Sequence, residues 1–350
     1  MNLQRLATLF AFSTGAFLFV SAASPSVPRT VAPGVATAPN PHLVLGNDAC
    51  VKCHAPEIAV WKRTPHATTF DELHRRPEAK KIAANLGLRS IKHEGRCVAC
   101  HYTQKMDSRG PHVIAGVSCE SCHGPAKNWV DLHHDYGGEG ITRLSESPAH
   151  RASRVAKSVA AGMRNPMNVY NVAQSCLRCH TTADEELVNV GGHTAGSLDF
   201  EFVSWSQGMV LHNFVQSDGK TNRPSSPDRI RVMFVAGMIA ELESSLRATA
   251  VATEKATYGV TVARRGARSV KRLQSVAAKI DSPVLNQILT VAEGVTFKLN
   301  NQAELTSAAD QIAKLGHRFA EVTDGRSLES LDRFIPKTRK YQGNSIFWGG

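Results

Sequence analysis

The 350-residue sequence has only one long apolar run, and it lies at the N-terminus. The run, LATLFAFSTGAFLFVSAA, follows the short positive leader MNLQR and ends in small residues. This pattern predicts a signal peptide over residues 1–23, with cleavage near Ala22 or Ala23. An uncleaved anchor is the alternative, which the polar residues Ser13, Thr14 and Gly15 weaken. Since no other segment could cross a bilayer, we expect a periplasmic or secreted protein without a stable membrane span.

Apolar residues are also scarce between Asn47 and Pro224, too scarce for an ordinary hydrophobic core in a region of this size. Short helical stretches in this region are separated by the segments GPH, GGEG and GGHTAGS. The preceding residues 24–46 are rich in proline and alanine and predict an extended linker. Something other than side chains must therefore fill much of the interior of residues 47–224.

No cysteine lies outside four C-x-x-C-H motifs. In each motif the two cysteines are one helical turn apart, and a histidine directly follows the second cysteine. A C-x-x-C pair can form a disulfide, bind zinc or attach haem. Four copies that use every cysteine favour haem over zinc, whose sites pair two C-x-x-C units or end in two closely spaced histidines. The motifs are Cys50, Cys53 and His54; Cys97, Cys100 and His101; Cys119, Cys122 and His123; Cys176, Cys179 and His180.

The four motifs predict four covalently attached haem c groups, each with its motif histidine as an axial ligand of the iron. The macrocycles would supply the missing apolar volume, and an export signal fits because haem is attached outside the cytoplasm. The formal charge of +11 would be partly offset by about eight propionate charges. We therefore expect redox proteins as partners, with the haem maturation machinery during biogenesis and no nucleic acid.

A second axial ligand decides what each haem can do. A second histidine suits electron transfer, a methionine raises the reduction potential, and an open position allows a substrate to bind. Eleven of the fifteen histidines lie outside the motifs, so candidates are plentiful and composition alone does not choose among them.

The stretches ACVKCHAPEIAVWKRTPHA and VSCESCHGPAKNWVDLH resemble the tetrahaem cytochrome c554 family, over roughly residues 47–215. The resemblance implies that His66, His133 and His212 are the second ligands of three haems, with His193 as the competitor of His212. It also implies that the haem of His101 has no second protein ligand. His93 and His112 flank that motif and are, like His193, alternative ligands that could close the site.

From Ser225 the composition changes to no cysteine, one histidine and long apolar periodicities. The periodicity predicts four amphipathic helices that form an up-and-down bundle over residues 225–336, followed by a tail at 337–350. The first helix is expected to begin at Pro227 after a serine cap. The other helices are predicted over residues 254–280, 284–299 and 303–322. The fold class is therefore mainly α, a multihaem domain with little regular strand followed by a haem-free bundle, which we expect to serve as a docking or dimerisation surface.

Three functions are consistent with the motifs, the candidate second ligands and the C-terminal helices. An electron carrier with closely packed haems is favoured, because second histidines can be assigned to three haems. The alternative is a redox enzyme that acts on a small nitrogen oxide at the His101 haem, and no catalytic acid–base pair can be assigned for it. A sensor or scaffold built around the bundle is the third reading.

Overall fold

The computed structural model describes residues 38–343, and the predicted mainly α fold with little strand is confirmed in this part of the chain. The predicted signal peptide, residues 24–37 of the predicted linker and residues 344–350 of the tail lie outside the described residues. No helix between residues 38 and 343 is long and apolar enough to span a membrane.

The motif-bearing region consists of short helices and one hairpin. Its helices are α1 (Asp48–Trp61), α2 (Pro65–Glu72), α3 (Pro77–Asn85), α4 (Gly95–His101), α5 (Cys119–His123), α6 (Pro148–Ala160), α7 (Val169–His180), α8 (Glu185–Asn189) and α9 (Phe202–Ser206). Short 3₁₀ turns cover Leu73–Arg75, Leu132–His134 and Val215–Ser217. The antiparallel strands β1 (Thr103–Asp107) and β2 (Gly110–Ala115) join α4 to α5, so this hairpin sets the separation of the second and third motifs.

Three of the four motifs lie at the end of a helix, and the first lies before a kink. Helices α4, α5 and α7 end at His101, His123 and His180, the last residues of their motifs. Helix α1 continues past its motif but is kinked at His54, which has the non-helical angles φ −120° and ψ 37°. Pro56 explains the kink, because proline lacks a backbone N–H and clashes with the preceding turn. In α4, α5 and α7 the two cysteines therefore share the last helical turn, and in α1 they share the turn before the kink at His54.

The residues before the first motif are packed rather than extended into solvent. Val44 is buried, the carbonyl of Leu43 accepts a hydrogen bond from the Lys127 amide at 3.0 Å, and the Lys105 ammonium donates to the Leu45 carbonyl at 2.9 Å. Residues 38–46 of the predicted linker thus lie against the hairpin and the segment after α5.

The C-terminal part contains the four predicted helices with somewhat different ends. The first begins at Pro227 as predicted, and its cap Ser226 accepts from the Arg229 amide at 3.3 Å. The third ends before the predicted residue 299, because Gly294 follows its last turn and the chain bends so that the Asn300 amide donates to Ala252. The helices are α10 (Pro227–Ala250), α11 (Thr257–Ala277), α12 (Pro283–Glu293) and α13 (Gln302–Val322), followed by 3₁₀ turns at Gly325–Leu331 and Thr338–Lys340.

One hydrophobic core includes both the fourth-motif helix and the bundle. Tyr170, Ala173 and Leu177 of α7 are fully buried in the same cluster as the inner residues of α10 and α13. The Tyr170 hydroxyl donates to Glu243 on α10 at 2.6 Å. Helix α13 passes so close that a Cβ on Gly316 would lie 2.3 Å from the Tyr170 ring. The change in composition near residue 224 is therefore not a boundary in the packing.

Candidate haem-binding site

Every motif histidine stands opposite one histidine from outside the motifs. The ring centroids are 6.3 Å apart for His54 and His133, and 6.2 Å apart for His66 and His180, His101 and His193, and His123 and His212. A bond from an imidazole nitrogen to a metal is about 2.0–2.1 Å long, so two rings on opposite sides of one ion have centroids about 6 Å apart. The four separations match this geometry.

The structure brings together eight histidines that were singled out in the sequence, among them the alternative ligand His193. His66, His133 and His212 each face a motif histidine, whereas His193 faces His101 rather than competing with His212. Within the described part of the chain His93 and His112 face no other imidazole.

The two flanking histidines are placed differently. His93 is exposed, and His112 lies on β2 with its Nδ1 3.3 Å from an oxygen of Asp107. Neither is brought to the second motif as a partner of His101.

Backbone carbonyls orient three of the non-motif rings. Nδ1 of His193 contacts the Thr194 carbonyl at 2.8 Å, Nδ1 of His212 contacts the Val210 carbonyl at 2.6 Å, and Nδ1 of His133 contacts the Val130 carbonyl. A carbonyl can only accept, so the proton of each ring resides on Nδ1. The Nε2 lone pair is then free to bind a metal.

Burial keeps most of these imidazoles in the neutral form that binds metals. It lowers the pKa of His101, His123 and His180 to about 4, and it also lowers the pKa values of His66 and His133.

His54 differs, because the nearby carboxylate of Glu57 raises its pKa. Their closest nitrogen and oxygen atoms are 3.7 Å apart.

The motifs approach one another in a definite order. The Cys119 thiol lowers the pKa of Cys50 and the Cys179 thiol raises the pKa of Cys100, so the thiols of each pair lie close together. The first motif therefore adjoins the third, and the second adjoins the fourth. Arg164 lies against the third motif: its own amide donates to the His123 carbonyl at 2.8 Å, and its Nε donates to the Cys122 carbonyl at 2.7 Å.

Beside it, Arg178 of the fourth motif donates to the Ser121 carbonyl at 3.2 Å. The attachment sites are thus arranged first, third, fourth, second.

A close approach of two backbone segments positions His66. The His66 carbonyl accepts from the Val117 amide at 2.9 Å, and Trp61 Nε1 donates to the Val117 carbonyl at 2.8 Å. A Cβ on Gly116 would lie 2.3 Å from the His66 carbonyl oxygen. Only glycine permits α2 to pass this close to the third motif, a requirement that sequence analysis missed.

Glu120, inside the third motif, was also missed by sequence analysis. Its carboxylate is buried and accepts from the amides of Leu45 at 3.0 Å, Gly46 at 2.7 Å and Ala126 at 2.7 Å. It therefore ties α5 to the segments before the first motif and after the third. In the sequence, the only indication of this role is that a charged residue stands between the two cysteines of the third motif.

Replacing Glu120 by alanine is expected to lower the free energy of unfolding of the haem-loaded protein by at least about 3 kcal/mol. The reason is that three buried amides would each lose their acceptor, at about 1–3 kcal/mol apiece. Denaturant unfolding measures the effect, with Glu139→Ala on an exposed loop as the control. A loss below about 1 kcal/mol would contradict this role.

Several buried polar atoms near the paired histidines have no protein partner. They include the indole nitrogens of Trp129 and Trp205, whose rings lie 5.3 Å from His133 and 5.2 Å from His180 respectively. Buried donors of this kind are normally satisfied. Haem propionates would provide acceptors, so the residues present fit haem at the cysteine–histidine motifs.

Residues 49–124 match the family model described as "Cytochrome c554 and c-prime". This region resembles the cytochrome c554 family. The resemblance seen in the sequence is confirmed for this region, and a cytochrome c family implies haem c, with its iron, at the matched motifs. The match contains the first three motifs and ends before His133, His180, His193 and His212.

A curated relative supports the same assignment. The chain is 34% identical over 101 residues to cytochrome c-554 of Nitrosomonas europaea, and this covers 26% of the chain and 43% of that protein. The matched region thus spans less than half the length of the relative. No solved structure matches the chain significantly.

Proposed function

We propose that this protein is an exported tetrahaem c-type cytochrome that transfers electrons between redox partners and holds each iron between two histidines. The observation that carries the proposal is the set of four opposed histidine pairs, each made of one motif histidine and one histidine from elsewhere. The assigned pairs are His54 with His133, His66 with His180, His101 with His193, and His123 with His212.

The chain's residues perform two tasks in this proposal. The motif cysteines would attach the cofactor covalently, so that it could not dissociate. The opposed imidazoles would hold the iron of each haem. Bound haem c supplies one-electron chemistry at its iron, with a potential that depends on ligands, charge and burial.

The order of the motifs supports a continuous path through the protein. The first and third motifs adjoin through Cys50 and Cys119, the third and fourth through Arg178 and the Ser121 carbonyl, and the fourth and second through Cys179 and Cys100. The first and second motifs therefore stand at opposite ends of the series. We place the contact sites for donor and acceptor proteins at these two ends.

The pair of His101 and His193 favours the carrier over the enzyme. A reaction of a small nitrogen oxide at this iron would need an open axial position, and His193 faces His101 with its Nε2 free. The loop that bears His193 is also anchored, since the His193 amide donates to the Leu187 carbonyl at 3.1 Å and Asn85 donates to Gly191 at 3.1 Å.

The intact mass of the mature protein is expected to exceed that of the processed chain by about four haem masses. Its ferric and ferrous spectra are expected to be low-spin throughout, because two imidazoles give a strong ligand field at each iron. Fewer than about four haems would refute the tetrahaem proposal, while a high-spin component in a fully loaded sample would refute the pairing of histidines.

A further inference from the structure

Arg265 connects the C-terminal bundle to the fourth motif. It lies on α11, its side chain is 1% exposed, and its Nη1 donates to the carbonyl of His180 at 3.2 Å. Its Nε donates to Glu241 on α10 at 3.3 Å. A guanidinium group from the bundle is thus held against the backbone of a proposed iron ligand.

The surroundings of Arg265 are positively charged. Glu241 is buried, and three guanidinium groups gather around it: Arg265, Arg272 at 2.7 Å and Arg268 at 3.8 Å. One carboxylate therefore faces three cations. The other carboxylate near His180, Asp199, is exposed and so is screened by water.

Three buried donors around His180 have no acceptor. They are Nη2 of Arg265, Nε1 of Trp205 and Oγ1 of Thr181. The Trp205 ring lies 5.2 Å from the His180 ring, Thr181 directly follows His180, and Arg265 contacts its carbonyl. An unsatisfied buried donor costs about 1–3 kcal/mol, and a charged one costs more. Three around one histidine, beside excess positive charge, indicate an anionic acceptor.

We propose that Arg265, with Trp205 and Thr181, binds a propionate of the haem attached at Cys176 and Cys179, and that the C-terminal bundle thereby sets the reduction potential of this haem. The inference rests on the proposed function, because it requires haem at the fourth motif. It gives the bundle a task within the redox site, in place of a haem-free docking surface.

The sign of the effect follows from charge. A buried positive charge favours the reduced iron, which carries one positive charge fewer than the oxidised iron. Neutralising Arg265 should therefore lower the potential of one haem of the four. Glu241 would keep Arg272 as its partner, so the variant would leave no isolated buried carboxylate.

The test is a potentiometric titration of the haem-loaded full-length protein and of its Arg265→Met variant, followed by visible and electron paramagnetic resonance spectra. We expect the equilibrium between reduced and oxidised forms of one haem to shift about tenfold towards the oxidised form, which corresponds to a potential about 59 mV lower. Arg265→Lys keeps the charge and is expected to restore at least half of the shift.

Arg264→Met is the matched control, because Arg264 is the preceding residue of the same helix and is exposed. It removes the same charge where water screens it, so all four potentials should stay unchanged. Unaltered potentials in Arg265→Met, or an equal shift in Arg264→Met, would overturn the proposal. A lower melting temperature with no change in potential would show that Arg265 is purely structural.

Failure of this inference can be told apart from failure of the proposed function. Wild-type protein with about four haems and low-spin spectra supports the carrier whatever Arg265 does. If Arg265→Met does not fold, the Arg265→Lys variant still tests whether residue 265 binds a haem propionate. In a crystal structure of that folded variant, or of the wild type, a side-chain nitrogen of residue 265 should lie about 2.7–2.9 Å from a propionate oxygen. A protein or water acceptor in place of the propionate would overturn the assignment.

Discussion

A chain that ends at Pro224 is expected to lose the ordered fourth motif and most of its resistance to unfolding. Tyr170 and Leu177 on α7, and Phe202 and Val203 on α9, are buried in the core that contains α10. Exposing large apolar side chains costs about 1.5–3 kcal/mol each, so these residues alone account for roughly the whole stability of a typical domain, about 5–15 kcal/mol. Thermal unfolding, proteolysis and the spectrum of the haem at His180 measure the loss.

A chain that ends at residue 343 is the matched control for this truncation. It keeps every described element, including the pairing of the Met209 amide with the Gln342 carbonyl at 2.7 Å and of the Gln342 amide with Ser204 at 2.9 Å. We expect it to unfold like the full chain. If the Pro224 chain retained the full melting temperature and four low-spin haems, the bundle would be a separable domain, as the composition suggests.

Replacing His193 by alanine is expected to convert one haem from low spin to high spin and to create one site for carbon monoxide or nitric oxide. The reason is that His193 stands opposite His101 at the distance of a second axial ligand. Binding to the ferrous protein should rise from none to about one molecule per chain. Gas titration followed by visible spectroscopy measures the stoichiometry, and intact mass verifies that four haems remain attached.

The two flanking histidines serve as controls for this prediction. His93 is exposed and His112 is near Asp107, so His93→Ala and His112→Ala should leave the spectrum unchanged. His212→Ala should also open one site, but at the haem of His123. Stoichiometric binding by wild-type protein, with His193→Ala indistinguishable from it, would mean that the His101 iron is open and that the enzyme reading is correct.

Much of the motif chemistry could be predicted from sequence because it is local. The two cysteines and the histidine of each motif are close in the chain, so one helical turn brings them together wherever they occur. The same is true of Pro227 after Ser226, where a cap and a proline define the start of α10 within four residues. The beginning of α11 was less well predicted, since Glu185 of α8 accepts from the amides of Thr253 and Glu254 and delays the helix to Thr257.

The partners of the motif histidines could be predicted only in part. His66, His133 and His212 were found through family resemblance, without their partners. His193 was named both as the competitor of His212 and as one of three histidines that could close the His101 site, and the sequence did not choose between these roles. The loop that presents it is fixed by contacts with Asn85 and with α8, which no local pattern reveals.

The sequence by itself determined the four C-x-x-C-H motifs, which predict cofactor attachment, and the helical character of the chain, because both depend on neighbours a few residues apart. Only the tertiary structure decided which histidine faces which motif, in what order the motifs adjoin, and that the helices after residue 224 share a core with the fourth motif. These relations join residues as far apart as His180 and Arg265, and they depend on packing, buried hydrogen bonds and charge. Such long-range contacts follow from the fold as a whole, and no short window of the sequence contains them.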